Sequence, residues 1–118
     1  AAFNDCNSLT TIDVSSWVMT NVTDITRMFR NCTSLTSLGA TGATNWNTSS
    51  LVGMDYVFQS CSVLTTIDVS GWDVSSVTSM IDSFASCGDL ISLNVSNWNT
   101  GLVTFKCNGY ATNVSVCR

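Results

Sequence analysis

The sequence predicts an α/β solenoid of about four turns, each a short strand plus a short helical or 3-10 segment, closed by a C-terminal cap. Three observations carry that expectation. First, the pattern Phe-x-x-Cys-x-x-Leu, followed further on by Trp, occurs four times: at Phe3, Cys6, Leu9 and Trp17; Phe29, Cys32, Leu35 and Trp46; Phe58, Cys61, Leu64 and Trp72; and Phe84, Cys87, Leu90 and Trp98. Second, the cysteines advance by 26, 29 and 26 residues, and an aromatic stands 12 residues after each Trp, at Phe29, Phe58, Phe84 and, closing the series, Tyr110. Third, the aliphatic residues fall into columns. Ile12, Leu38, Ile67 and Leu93 form one; Val14, Val69 and Val95 a second; Val22, Leu51, Val77 and Val103 a third; Ile25, Met54 and Met80 a fourth. One such unit cannot bury its own apolar face, so each copy must cover its neighbour.

Within a copy the strand comes first. Leu64-Thr65-Thr66-Ile67-Asp68-Val69-Ser70 ends in strict alternation of inward aliphatic and outward polar residues, which predicts a short strand. After Trp72, the residues Val77, Met80, Ile81 and Phe84 are spaced by one, three and four, and Thr78 is placed as an N-cap, so a short helix or 3-10 turn is expected there. Thr23 holds the same place before Asp24-Ile25-Thr26-Arg27-Met28-Phe29. The second copy carries three extra residues between Leu38 and Trp46, in Gly39-Ala40-Thr41-Gly42-Ala43-Thr44, and this reads as a loop bulging out between two inward anchors. Residues 1–105 make the repeat array and residues 106–118 the cap, where Lys106 stands in place of the inward Ile or Met and cannot be buried cheaply. At the other end, Phe3, Leu9, Ile12 and Val14 enter the pattern at full strength. Upstream repeats, a covering partner, and head-to-tail stacking into a filament are the three explanations for that bare edge.

The composition suits a secreted or cell-surface setting. Six cysteines, five Asn-x-Ser/Thr sequons at Asn21, Asn31, Asn47, Asn94 and Asn113, and only 10% charged residues point to an extracellular chain able to carry disulfides and glycans. A net charge of −4, with Arg27, Arg30, Lys106 and Arg118 the four basic residues, argues against nucleic acid or anionic membrane as partner. No apolar run approaches the roughly 20 residues that cross a bilayer, so membrane insertion is not expected.

The segments FRNCTSLTSL, FQSCSVLTTIDVSGWDVSSVTSM and FASCGDLISLNVSNWNT resemble the BspA-like leucine-rich repeats of surface proteins, over about residues 3–105. The resemblance implies a leucine-rich-repeat-like stack used in adhesion, in binding host or matrix, or in building surface structure, and it implies no catalytic residues.

The cysteine column Cys6, Cys32, Cys61 and Cys87 poses a choice. Neighbouring turns of a ladder lie about 4.8 Å apart, within the separation a disulfide accepts, so Cys6 with Cys32 and Cys61 with Cys87 are candidate pairs; a buried ladder of free thiols is the alternative. Cys107 with Cys117 is the candidate bond of the cap. With no His and no Cys-x-x-Cys pair, a metal site is not expected, and neither is any cofactor.

Binding should use the outward strand face, whose positions align between turns: Thr11, Ser37, Thr66 and Ser92; Asp13, Asp68 and Asn94, interrupted by Gly39; and Ser15, Ser70 and Ser96. The four Trp residues have the fixed spacing of core or corner positions rather than of sugar platforms. No general base, nucleophile elbow or phosphate loop is present. The expected function is nonenzymatic: adhesion or ligand binding to protein or glycan at the cell surface through the strand face, with a self-assembling extracellular filament as the alternative.

Overall fold

A computed structural model of the 118-residue chain describes residues 2–39, 43–44, 46–69, 71–90 and, in backbone only, 92–94. Ser70, Val95, Ser96, Trp98, Val103, Tyr110, Asn113, the pair Cys107 and Cys117, the cap 106–118 and most of the inserted loop lie outside the described residues.

The alternating run around Ile67 forms β1 (Thr66–Asp68), and the equivalent run of the next copy forms β2 (Ser92–Asn94). They pair in parallel with Thr66 opposite Ser92, Ile67 opposite Leu93 and Asp68 opposite Asn94, a register of one repeat. An isolated parallel bridge, Thr11 to Ser37, joins the same positions of the first two copies. Ile67 is buried between exposed Thr66 and Asp68, as the alternation requires.

A second column of parallel bridges, Asp24 to Gly53 to Ser79, runs where Thr23 and Thr78 were expected to cap helices. Among the described residues there is no helix. The reason lies in where the amides go. Ile25, Arg27, Phe29 and Asn31 donate their N–H groups to the carbonyls of Gly53, Asp55, Val57 and Gln59, at 3.0, 2.9, 2.9 and 2.8 Å. Met54, Tyr56, Phe58 and Ser60 repeat the pattern onto Ser79, Ile81, Ser83 and Ala85. These donors are spent on the adjacent copy, so an i→i−4 ladder cannot form. What replaces it is a run of tight turns, such as Cys61 N–H to the Phe58 carbonyl at 3.1 Å. The turns need left-handed backbone two residues before and two after each Phe, and φ is near +60° at Asp5, Arg27, Asn31, Tyr56, Ser60 and Ser86 and +50° at Asp82.

Side chains stack like on like between copies. Phe3, Phe29, Phe58 and Phe84 form a ladder with ring centroids 5.7, 5.5 and 5.7 Å apart, and Trp17, Trp46 and Trp72 a second at 5.8 and 5.4 Å. The aliphatic columns close around them: Val14, Ile25, Leu35, Leu51, Met54, Leu64, Val69, Val77 and Met80 are all buried. Parallel offset rings at this spacing attract through dispersion while easing quadrupole repulsion. The core therefore runs through the stack as continuous columns.

Candidate functional site

The cysteine column is structural. Cys6, Cys32, Cys61 and Cys87 are free thiols, so of the two alternatives it is the thiol ladder, not the candidate pairs Cys6–Cys32 and Cys61–Cys87, that is present. Each of the three inner thiols has another partner: Cys32, Cys61 and Cys87 point Sγ at the carbonyls of Phe3, Phe29 and Phe58 in the preceding copy, at 3.2, 3.1 and 3.2 Å. Burial pushes the Cys32 and Cys87 thiols up to about 11 and the Cys61 thiol higher still, which suppresses the thiolate that nucleophilic or redox chemistry needs.

The Trp column is equally committed. Trp46 and Trp72 are buried, and their indole N–H groups donate to the carbonyls of Val14 and Ala43, each at 2.9 Å. Their faces are covered by one another, leaving no platform for a sugar.

On the strand face, Thr11, Asp13, Thr66 and Asp68 are exposed, while Ser15 and Ser37 are half-buried. Ser92 and Asn94 are described in backbone only, and Ser70 and Ser96 fall outside the described residues. Asp13 is engaged locally: its Oδ1 accepts from the Ser15 hydroxyl at 2.6 Å and the Ser15 amide at 3.0 Å, and these bonds hold the carboxyl below its ordinary range. The next position, Gly39, has φ +97°, and a Cβ there would meet Asp13 Oδ1 at 2.7 Å. The glycine thus interrupts the column because the Asp13 side chain leans across it. Among the described residues no group of His, Cys, Asp or Glu is arranged to hold a metal.

Of the sequons, Asn21 and Asn47 are exposed. Asn31 Nδ2 donates to Asp5 Oδ1 at 2.6 Å, across one repeat, and Asn47 Oδ1 accepts from the Ser49 amide at 3.1 Å. Asn94 is described in backbone only.

The sequence reading missed a second surface. An open groove of about 230 Å³ is lined by Arg27, Arg30, Tyr56 and Gln59. The Arg27 guanidinium lies over the Tyr56 ring, 5.4 Å from its centroid, and Arg30 Nε donates to Gln59 Oε1 at 2.7 Å. The signal was in the register: Arg27 and Tyr56 both stand two residues before a Phe, and Arg30 and Gln59 both stand one after. These columns lie outside the apolar pattern: Arg27 is exposed, and Arg30, Tyr56 and Gln59 are half-buried.

The family model described as "Mycoplasma protein of unknown function, DUF285" matches residues 1–113. No curated protein and no solved structure matches the chain.

Proposed function

The chain belongs to the DUF285 family, and from that premise we propose a nonenzymatic, secreted or cell-surface repeat protein that binds its ligand through the polar face of its strands. The proposed fold is a solenoid close to the BspA-like leucine-rich repeats, with a strand and a hydrogen-bonded turn segment in each coil. One observation carries the functional reading: Thr11 and Ser37, and Thr66 and Ser92, meet in parallel register on one side of strands whose other side buries Leu38 and Ile67. Short hydroxyl side chains repeated at one spacing make a surface that hydrogen-bonds a partner with little loss of side-chain entropy. The partner is a protein or glycan at the cell surface, and exposed Asn21 and Asn47 are the sequons placed to carry glycans of their own.

The test is binding to a panel of purified extracellular-matrix glycoproteins by biolayer interferometry. The expected result is saturable binding to at least one, weakened tenfold or more by Thr66→Arg with Asp68→Arg in a protein that melts like the parent. Absence of binding across the panel, or binding that the double substitution leaves alone, overturns the reading.

A specific observation favours filament assembly as a second reading. In the turn column most cross-copy bonds run from an N–H of one copy to a carbonyl of the next, and Val52, Gly53 and Thr78 return bonds to the copy before, as parallel pairing requires. A stack with that polarity has complementary ends, and head-to-tail addition of chains continues it. Continuous fibres in electron micrographs of the purified protein are the expected sign; discrete particles at all concentrations exclude it.

A further inference from the structure

We infer that the Arg27–Arg30–Tyr56–Gln59 groove is a binding site for a carboxylated sugar, a uronate within a glycan chain. The inference stands on this groove and is independent of the strand face. In a chain of net charge −4 that has four basic residues, two lie side by side here, and among the described residues neither guanidinium is paired with a carboxylate. The Arg27 guanidinium sits over the Tyr56 ring, 5.4 Å from its centroid, and Arg30 is anchored through Nε to Gln59. Both heads are thereby pre-positioned, with the remaining N–H groups of Arg30 open to a planar carboxylate.

The backbone sharpens the case. Left-handed φ suits the short polar side chains of Asp5, Asn31 and Asp82 in these columns, but it is costly for Arg27 at +59° and Tyr56 at +58°. Bulky residues kept at strained positions, in adjacent copies, and facing one groove are the pattern expected of a functional site.

The chemistry selects among anions. A phosphate polymer requires a row of cations, and this face offers two. An acidic peptide adding along the backbone requires free amides, but the N–H groups of Arg27 and Tyr56 are bonded to Asp55 and Ile81, and those of Arg30 and Gln59 to Arg27 and Tyr56. A uronate fits what is left: its carboxylate meets the guanidiniums, and its hydroxyls meet the Gln59 amide and the Tyr56 phenol.

The probe is a glucuronate-containing tetrasaccharide, titrated calorimetrically at low salt against the full chain. Its carboxyl-reduced counterpart and a tetraglutamate peptide serve as comparisons. Expected are saturable binding of the tetrasaccharide, at least tenfold weaker binding of both comparisons, and at least tenfold loss with Arg30→Gln. Arg27→Gly separates binding from folding, because it removes the cation and also relieves the left-handed strain: it should bind at least tenfold more weakly while melting at or above the parent temperature. Absence of binding, equal binding of the reduced sugar or the peptide, or affinity unmoved by the arginine variants overturns the assignment.

Discussion

Trp46 shows how one side chain ties two copies together. Its indole is buried, sandwiched between Trp17 and Trp72, and donates to the Val14 carbonyl at 2.9 Å. Trp46→Phe keeps an aromatic ring in the stack but removes that bond, leaving the Val14 carbonyl to the Trp17 amide at 3.1 Å. The expected loss from the missing bond is about 0.5–1.5 kcal/mol in urea denaturation, in addition to the loss from the smaller ring. Gly39 is the complementary case, where a missing side chain matters. Gly39→Ala places a Cβ 2.7 Å from Asp13 Oδ1 and 3.1 Å from the Asp13 backbone, at a φ of +97°. It should destabilise by about 1–3 kcal/mol, and Asp13→Ala should restore only part, since it removes the carboxylate but neither the φ strain nor the crowding against the Asp13 backbone. From the sequence, Gly39 was visible as a gap in the Asp column; the reason for the gap needed the geometry of its neighbour.

At the scale of the elements, the strand was readable and the segment before each Phe was not. Period-two alternation around Ile67 identifies β1 because one face is buried and the other wet. Apolar spacing of three and four before Phe84 equally suits a helix and a series of tight turns, and the choice falls to the turns once alternate amides bond across to the next copy. No local pattern announces that exchange, and Arg27 and Tyr56 at positive φ run against propensity. The thiol column was recognised as a column, but its chemistry depended on the carbonyl that each inner Sγ meets. A direct check follows from burial: Cys6 is half-buried, whereas Cys32, Cys61 and Cys87 are fully buried. Peptide mass mapping after iodoacetamide treatment of the native protein should find Cys6 alkylated well before the other three, which react only after unfolding. Equal labelling of all four would contradict the thiol ladder.

For the molecule as a whole, the continuous ladders make stability collective. Phe58 is buried between Phe29 and Phe84, so Phe58→Ala opens a gap in the middle of the aromatic column and should cost about 3–5 kcal/mol. Because each copy is supported by its neighbours, a single broader unfolding transition, or loss of the folded state, is expected by circular dichroism. The same buried columns set a pH dependence. Cys32 and Cys87 have thiols raised from an ordinary value of 9.0 to about 11, first of all because burial penalises the thiolate. In the unfolded chain these groups lose their protons near pH 9, while the folded chain retains them until near pH 11. The unfolded state therefore binds fewer protons in that interval, and linkage makes stability fall as pH rises through it. The contribution is complete below about pH 9 and lost by about pH 11. Urea denaturation at intervals across this range should show a declining midpoint for the parent protein, and Cys87→Ala, less stable at neutral pH, should show a shallower decline. A midpoint independent of alkaline pH, or an equal slope in the variant, would mean that the thiols are not the groups whose burial the stack depends on.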